Sequence, residues 1–263
     1  MTQLLRLAPI LALAACIGCA GAQPVPAVKQ RQVDLPARIL FVGNSYFYYN
    51  DSLHNHVRRI VIAADPALEK ALQYKSATIG AAPLAHHDVK GLLAPGRLGM
   101  KQPYDLVILQ GNSGDALADA RRASFREKVL EFSADIAKTG AKTALYMTHA
   151  YVAPNKEAGP DMIRKVEDMY VAAGNEAGAL VIPVGLAFEE AYRQRPGIQL
   201  QKTYDGSHPD LIGTYLAACV VYASLYGKSP VGNAYDYYGK VDRETASFLQ
   251  RVAEETVRRF YAR

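Results

Sequence analysis

The chain has 263 residues, half of them hydrophobic, with formal net charge +5 and a pI near 9.0. Its basic residues are dispersed among acids, as in Arg121 to Lys128 and Arg251 to Arg263, so the excess reads as solvated faces rather than a nucleic-acid arm. No repeat, low-complexity tract or phosphate-cradling loop is present, which excludes solenoids, disordered tails and P-loop NTPases.

In chain order, residues 1–22 read as an export signal: Arg6 precedes a short apolar run, Leu7 to Ala15, that cannot span a bilayer. Leu13-Ala14-Ala15-Cys16 resembles a bacterial lipobox, with Cys16 the residue to be lipidated. Ala20-Gly21-Ala22 is the competing cleavage site and would release a soluble protein. Lipidation is the favoured reading, and it predicts an exported protein, periplasmic or outer-envelope, that meets a membrane only through that anchor. Residues 23–36, with Pro24, Pro26 and Pro36, read as a flexible or extended tether. The remainder, 37–263, is long enough for one domain with a sizeable core.

Within that domain, apolar runs alternate with amphipathic ones. Strands are predicted at Arg38 to Val42, Leu72 to Ile79, Leu106 to Leu109, Thr143 to Met147 and Leu180 to Val184. Helices are predicted at Leu53 to Ala64, Ala120 to Lys138, Asp161 to Ala177, Leu186 to Arg193, Leu211 to Tyr226 and Arg243 to Arg263. Such alternation implies an α/β fold: a five-stranded parallel, flavodoxin-like sheet between two helical layers, with right-handed crossovers. Functional groups in such sheets gather outside the carboxyl ends of the strands.

Two motifs carry chemistry. Ile39-Leu40-Phe41-Val42-Gly43-Asn44-Ser45 reads as a buried strand running into a turn that presents a serine, and Asp205-Gly206-Ser207-His208-Pro209 sets a carboxylate three residues before a histidine. A serine hydroxyl needs an imidazole to take its proton and a third group to orient that imidazole, and Ser45, His208 and Asp205 are of those types. Each motif taken alone is also an ordinary turn.

The other histidines read as structural first. His54 and His56 fall on different helix faces, and His86-His87-Asp88 finds no further Cys or His to complete a zinc set, so neither a metal nor another cofactor is expected. His149, at the end of the fourth strand, reads either as pocket-lining or as a satisfied structural histidine. Tyr46, Phe47, Tyr48 and Tyr49, directly after Ser45, read as a wall of the site or a cover of the core. Cys219, in an apolar run, reads as a buried small hydrophobe, and no disulfide is expected.

The two motifs, with the segments between them, resemble the SGNH or GDSL-type hydrolase superfamily of esterases, lipases and carbohydrate deacetylases. The resemblance runs over most of the mature chain. It implies the three-layer fold above, with Ser45 as nucleophile and Asp205 and His208 as its partners. It further implies an oxyanion hole built from the backbone N–H groups of Ser45 and Gly80 and a side-chain amide, Asn112, with Gln110 competing. Asn44 stands where the family's name-giving Asp usually is. The third block, Gln110-Gly111-Asn112-Ser113, is one residue shorter than the family's Gly-x-Asn-Asp. Asn44, Tyr46 and His149 are the expected pocket-lining residues. The implied activity is hydrolysis of carboxylic esters, with a carbohydrate O-acetyl or other short acyl ester as substrate. A non-catalytic envelope or carbohydrate-binding module on the same fold is the alternative, as is an acyltransferase using the same three residues.

Overall fold

The computed structural model describes residues 23–263. The expected export signal, with Cys16, lies outside them. Five strands, β1 (Arg38–Gly43), β2 (Gln73–Thr78), β3 (Leu106–Leu109), β4 (Lys142–Tyr146) and β5 (Leu180–Ile182), form one sheet in the order β2-β1-β3-β4-β5, and every pairing is parallel. The helices are α1 (Ser45–Tyr48), α2 (Leu53–Ala64), α3 (Val89–Leu92), α4 (Asp119–Lys138), α5 (Met162–Ala177), α6 (Val184–Gln194), α7 (Leu211–Tyr226) and α8 (Arg243–Tyr261). This is the expected three-layer α/β fold.

Alternate side chains of β1 point to opposite layers. Ile39 and Phe41 join the cluster built with Leu53, Val57 and Ile60 of α2 and with α6, α7 and α8. Leu40 and Val42 join the one built with Phe125, Val129 and Ile136 of α4 and with α5. A strand buried on both faces needs a continuous apolar run, which explains why β1, β3 and β5 carry no polar alternation. The last strand is shorter than predicted. Pro183 has no N–H to donate to the ladder, and Val184 already opens α6.

The 23–36 stretch forms no helix or strand, bends at 27, 30 and 32–35, and is pinned to the domain. Ala27 N–H donates to Asn175 Oδ1 at 2.7 Å, and Val28 and Val33 pack on the core. Arg31 donates to the Tyr226 carbonyl at 2.6 Å and Gln32 to that of Gly178 at 2.9 Å. Those carbonyls end α7 and cap α5, where no intrahelical donor reaches them. Among the described residues no helix is long and apolar enough to cross a membrane.

Candidate active site

The register of the sheet sets up the first half of the site. Because Leu109 of β3 pairs with Val42 of β1, Gln110 leaves the sheet beside Gly43 and Asn44. A Cβ at position 43 would lie 2.4 Å from Gln110 Oε1, so only glycine lets the two loops approach. Gln110 Oε1 accepts from Asn44 N–H at 3.0 Å, and its Nε2 donates to Asn44 Oδ1 at 2.9 Å and to the Gly111 carbonyl at 2.6 Å. Asn44 then caps α1, its Oδ1 accepting from Tyr46 N–H at 3.2 Å, and reaches the Ala82 and Gly111 carbonyls through Nδ2 at 3.3 and 3.2 Å. An aspartate could accept at the cap but would set a carboxylate against two carbonyls. The amide does both jobs, a physical reason for Gly-Asn-Ser here.

Ser45 is the first residue of α1, with its Oγ 2.9 Å from His208 Nε2. On the other side of the imidazole, Nδ1 donates to Asp205 Oδ2 at 2.5 Å. The Oδ1 of Asp205 accepts the backbone N–H groups of Ser207 and His208 at 2.8 and 3.0 Å. Burial alone would raise the Asp205 pKa, but the hydrogen bonds from the imidazole and the two amides outweigh it and hold the carboxyl below its ordinary value. Tyr49 stacks on the His208 ring, centroids 4.3 Å apart and planes 17° from parallel.

The loop carrying this pair is fixed from outside. Gly206 has φ +60°, and a Cβ there would meet the Val152 carbonyl oxygen at 1.9 Å. The Gly206 carbonyl accepts from Val152 N–H at 2.9 Å and Gln201 Nε2 at 3.0 Å. Asn50 Nδ2 donates to the Pro209 carbonyl at 2.9 Å. Nothing in the sequence singles out Gln201 or Asn50 for these contacts, since both partners are met only through the fold.

No protein-family model matches the sequence, and no curated protein is similar to it in sequence. Solved structures are similar in fold. A DUF4886 family protein from Bacteroides uniformis is 20% identical, with a TM-score of 0.62 over 83% of this chain and 93% of its own. A candidate SGNH hydrolase from Slackia heliotrinireducens is 23% identical, with a TM-score of 0.59 over 73% of this chain and 100% of its own. The chain has the SGNH hydrolase fold. An acetyl xylan esterase, AlAXEase, is also similar in fold, at 14% identity and a TM-score of 0.56 over 71% of this chain and 98% of its own.

Within this SGNH fold, the expected oxyanion donors fall at the carboxyl ends of neighbouring strands. Neither the Ser45 nor the Gly80 N–H donates to an acceptor among the described residues. Asn112 Nδ2 donates one hydrogen to the Ala81 carbonyl at 2.7 Å, and the amide's second hydrogen has no acceptor among them. Gln110 is fully buried and its amide is spent on Asn44 and Gly111, so it cannot compete with Asn112 for a substrate oxyanion. The expectation that Asn44, Tyr46 and His149 line the pocket is corrected. All three are buried beneath the Ser45–His208 pair, because their polar atoms are needed to join the loops to one another. Phe47 is core, and Tyr48, 42% exposed, is the outward member of that aromatic run.

A cavity of about 350 Å³ is lined by Leu84, Asn112, Asp115, Arg121 and Phe125 among others. It opens between the loops that Asn44 holds together. Burial pushes the Asp115 carboxyl up to about 6, against the lowering effects of the Asn112 N–H and the Arg121 charge. A larger cavity of about 520 Å³, between Lys29, Lys228 and Arg258, sits by the C-terminal end of α7 and holds none of these groups. His56 is spent on the Asn50 carbonyl at 2.6 Å and on Tyr235 at 3.1 Å. Among the described residues no three His, Cys, Asp or Glu side chains converge to hold a metal ion.

Proposed function

We propose that the protein is a serine hydrolase of carboxylic esters, with Ser45 as nucleophile, His208 as general base and acid, and Asp205 as the group that orients the imidazole. The observation that carries this reading is the unbroken chain Ser45 Oγ, His208 Nε2, His208 Nδ1, Asp205 Oδ2, at 2.9 and 2.5 Å. His208 Nε2 takes the Ser45 proton as Oγ attacks the ester carbonyl, and the carbonyl π electrons move onto oxygen. Collapse of this tetrahedral species expels the alcohol, which receives the proton from Nε2, and leaves Ser45 acylated. Water, deprotonated by the same nitrogen, attacks the acyl carbon and releases the acid and free Ser45. The Ser45 and Gly80 N–H groups and the uncommitted Asn112 hydrogen are the donors suited to the developing oxyanion, each worth roughly 10²-fold to 10³-fold in rate.

The substrate class we propose is supported by the ground around Asn112. The cavity of about 350 Å³ reaches the candidate site through Asn112, its lining including neither Ser45 nor His208, and it sets Asp115 and Arg121 beside Leu84 and Phe125, polar groups next to an apolar wall that suit a short acyl ester on a carbohydrate. The acetyl xylan esterase among the structural neighbours points the same way. The N-terminal stretch that reads as an export signal extends the proposal to an envelope enzyme anchored through a lipidated Cys16. Acid release from a series of short-chain acyl esters and acetylated sugars, measured for the parent, Ser45→Ala and His208→Ala, tests it. Turnover lost in both folded variants supports the assignment, and near-parent turnover in either contradicts it.

A further inference from the structure

His149 lies three residues beyond the end of β4 with its side chain fully buried, sandwiched between two rings. Tyr46 stacks on one face, centroids 4.4 Å apart and planes 7° from parallel, and Phe188 of α6 on the other at 4.2 Å and 4°. Only the ring edge is free to make polar contacts, and there Nε2 meets the Ser207 carbonyl at 2.7 Å. A carbonyl can only accept, so Nε2 carries the hydrogen and Nδ1 is the bare nitrogen. Nδ1 is buried without a partner, an arrangement that the neutral Nε2–H tautomer alone tolerates. Ser207 directly precedes His208 and is held a second time, its Oγ 2.9 Å from Tyr46 OH. Tyr46 in turn directly follows Ser45.

We propose that His149 is a positioning residue for the Ser45–His208 pair: its Nε2–H holds the Ser207 carbonyl while its ring, packed on Tyr46, ties the histidine-bearing loop to the helix that carries the serine. This rests on the serine-hydrolase reading above. One side chain thereby touches both halves of the catalytic pair through their immediate neighbours, without facing the substrate itself. Few residue types meet the requirement, which is a flat ring of this size with a donor at its edge and no charge. Burial satisfies the last condition, pushing the imidazole down to about 4 and so keeping it neutral in the working range.

His149→Phe keeps a ring between Tyr46 and Phe188 and removes the donor. The expected result is a folded enzyme whose kcat falls roughly 10-fold to 100-fold with KM within about twofold, the pattern of a misplaced catalytic pair rather than of lost binding. The rate at which a fluorophosphonate acylates Ser45 should fall by the same factor. The acid limb of the kcat/KM profile should also move, which a merely structural role would leave in place. A folded His149→Phe enzyme with parent kcat and an unmoved profile overturns the proposal. Should that variant not fold, the ring nitrogens of His149 in the unsubstituted protein decide it by NMR. A neutral Nε2–H tautomer at pH 7, slow to exchange, supports the contact, and an Nδ1–H tautomer or an imidazolium overturns it. Failure of the function itself looks different, since the parent would then neither hydrolyse esters nor label at Ser45 while the His149 tautomer stayed as described.

Discussion

Replacing His149 with Phe should change how stability depends on pH in a calculable way. The folded-state pKa of about 4 lies below the ordinary 6.5, so between these values the unfolded chain binds a proton that the folded chain refuses. Stability from this group is therefore fully present above pH 6.5 and is lost as pH falls toward 4. With those two values the loss is negligible at pH 7.5 and about 2 kcal/mol at pH 5. The phenylalanine variant has no such proton to bind. At pH 7.5 it bears the cost of an orphaned Ser207 carbonyl, roughly 1–3 kcal/mol, partly offset by removal of the unpartnered Nδ1. Its disadvantage relative to the parent should shrink by about 2 kcal/mol between pH 7.5 and pH 5. Urea unfolding of both proteins at the two pH values measures that change, and every group they share cancels in the comparison. An unchanged difference between pH 7.5 and 5 would refute the argument, because it would mean that His149 protonates as easily folded as unfolded.

Other substitutions probe separate parts of the account. Asp115 is the opposite case: its folded pKa is raised to about 6, so its ionised form is penalised, fully above pH 6 and progressively less below. Asp115→Asn, which can still accept from Asn112 N–H, should gain on the order of 2 kcal/mol over the parent on going from pH 4 to pH 8, read by urea unfolding. Gly206→Ala drives a methyl into the Val152 carbonyl at a positive φ, so the variant should lose at least 10-fold in kcat through displacement of His208, with a lowered melting temperature. Parent-like values in both would show the loop to be free to move. Cys219 is fully buried with its thiol pushed up by desolvation, so it should resist an aromatic disulfide reagent in the native protein and react in urea.

The sheet was legible where physics demanded an uninterrupted apolar run. Leu106–Leu109 and the core of β1 could hardly be anything else, whereas β2, an edge strand reading Gln-Tyr-Lys-Ser-Ala-Thr, was legible chiefly from its place in the alternation. The short helices α1 and α3 were not anticipated, since four residues are too few to show a period. Ser45, Asp205 and His208 could be picked out as candidates because two contiguous motifs hold all three, and the fold sets them within hydrogen-bonding distance of one another. The choice between Asn112 and Gln110 was not legible, because it turns on the β1–β3 register, which sets Gln110 against Asn44 and leaves Asn112 at the cavity. For His149 the sequence left two readings, and the Tyr46–His149–Phe188 stack decides for the buried one by joining segments about 100 and 40 residues apart. For the 23–36 stretch the prolines argue only against helix and strand, and the helix-end carbonyls that pin it belong to distant elements.

The central claim is that Ser45 is an activated nucleophile. Incubating the folded protein with a fluorophosphonate and mapping the adduct by mass spectrometry tests it most directly. The account predicts a single modification on Ser45, absent from His208→Ala. A native protein that stays unmodified under conditions that label a known serine esterase, or an adduct on any other residue, would contradict it.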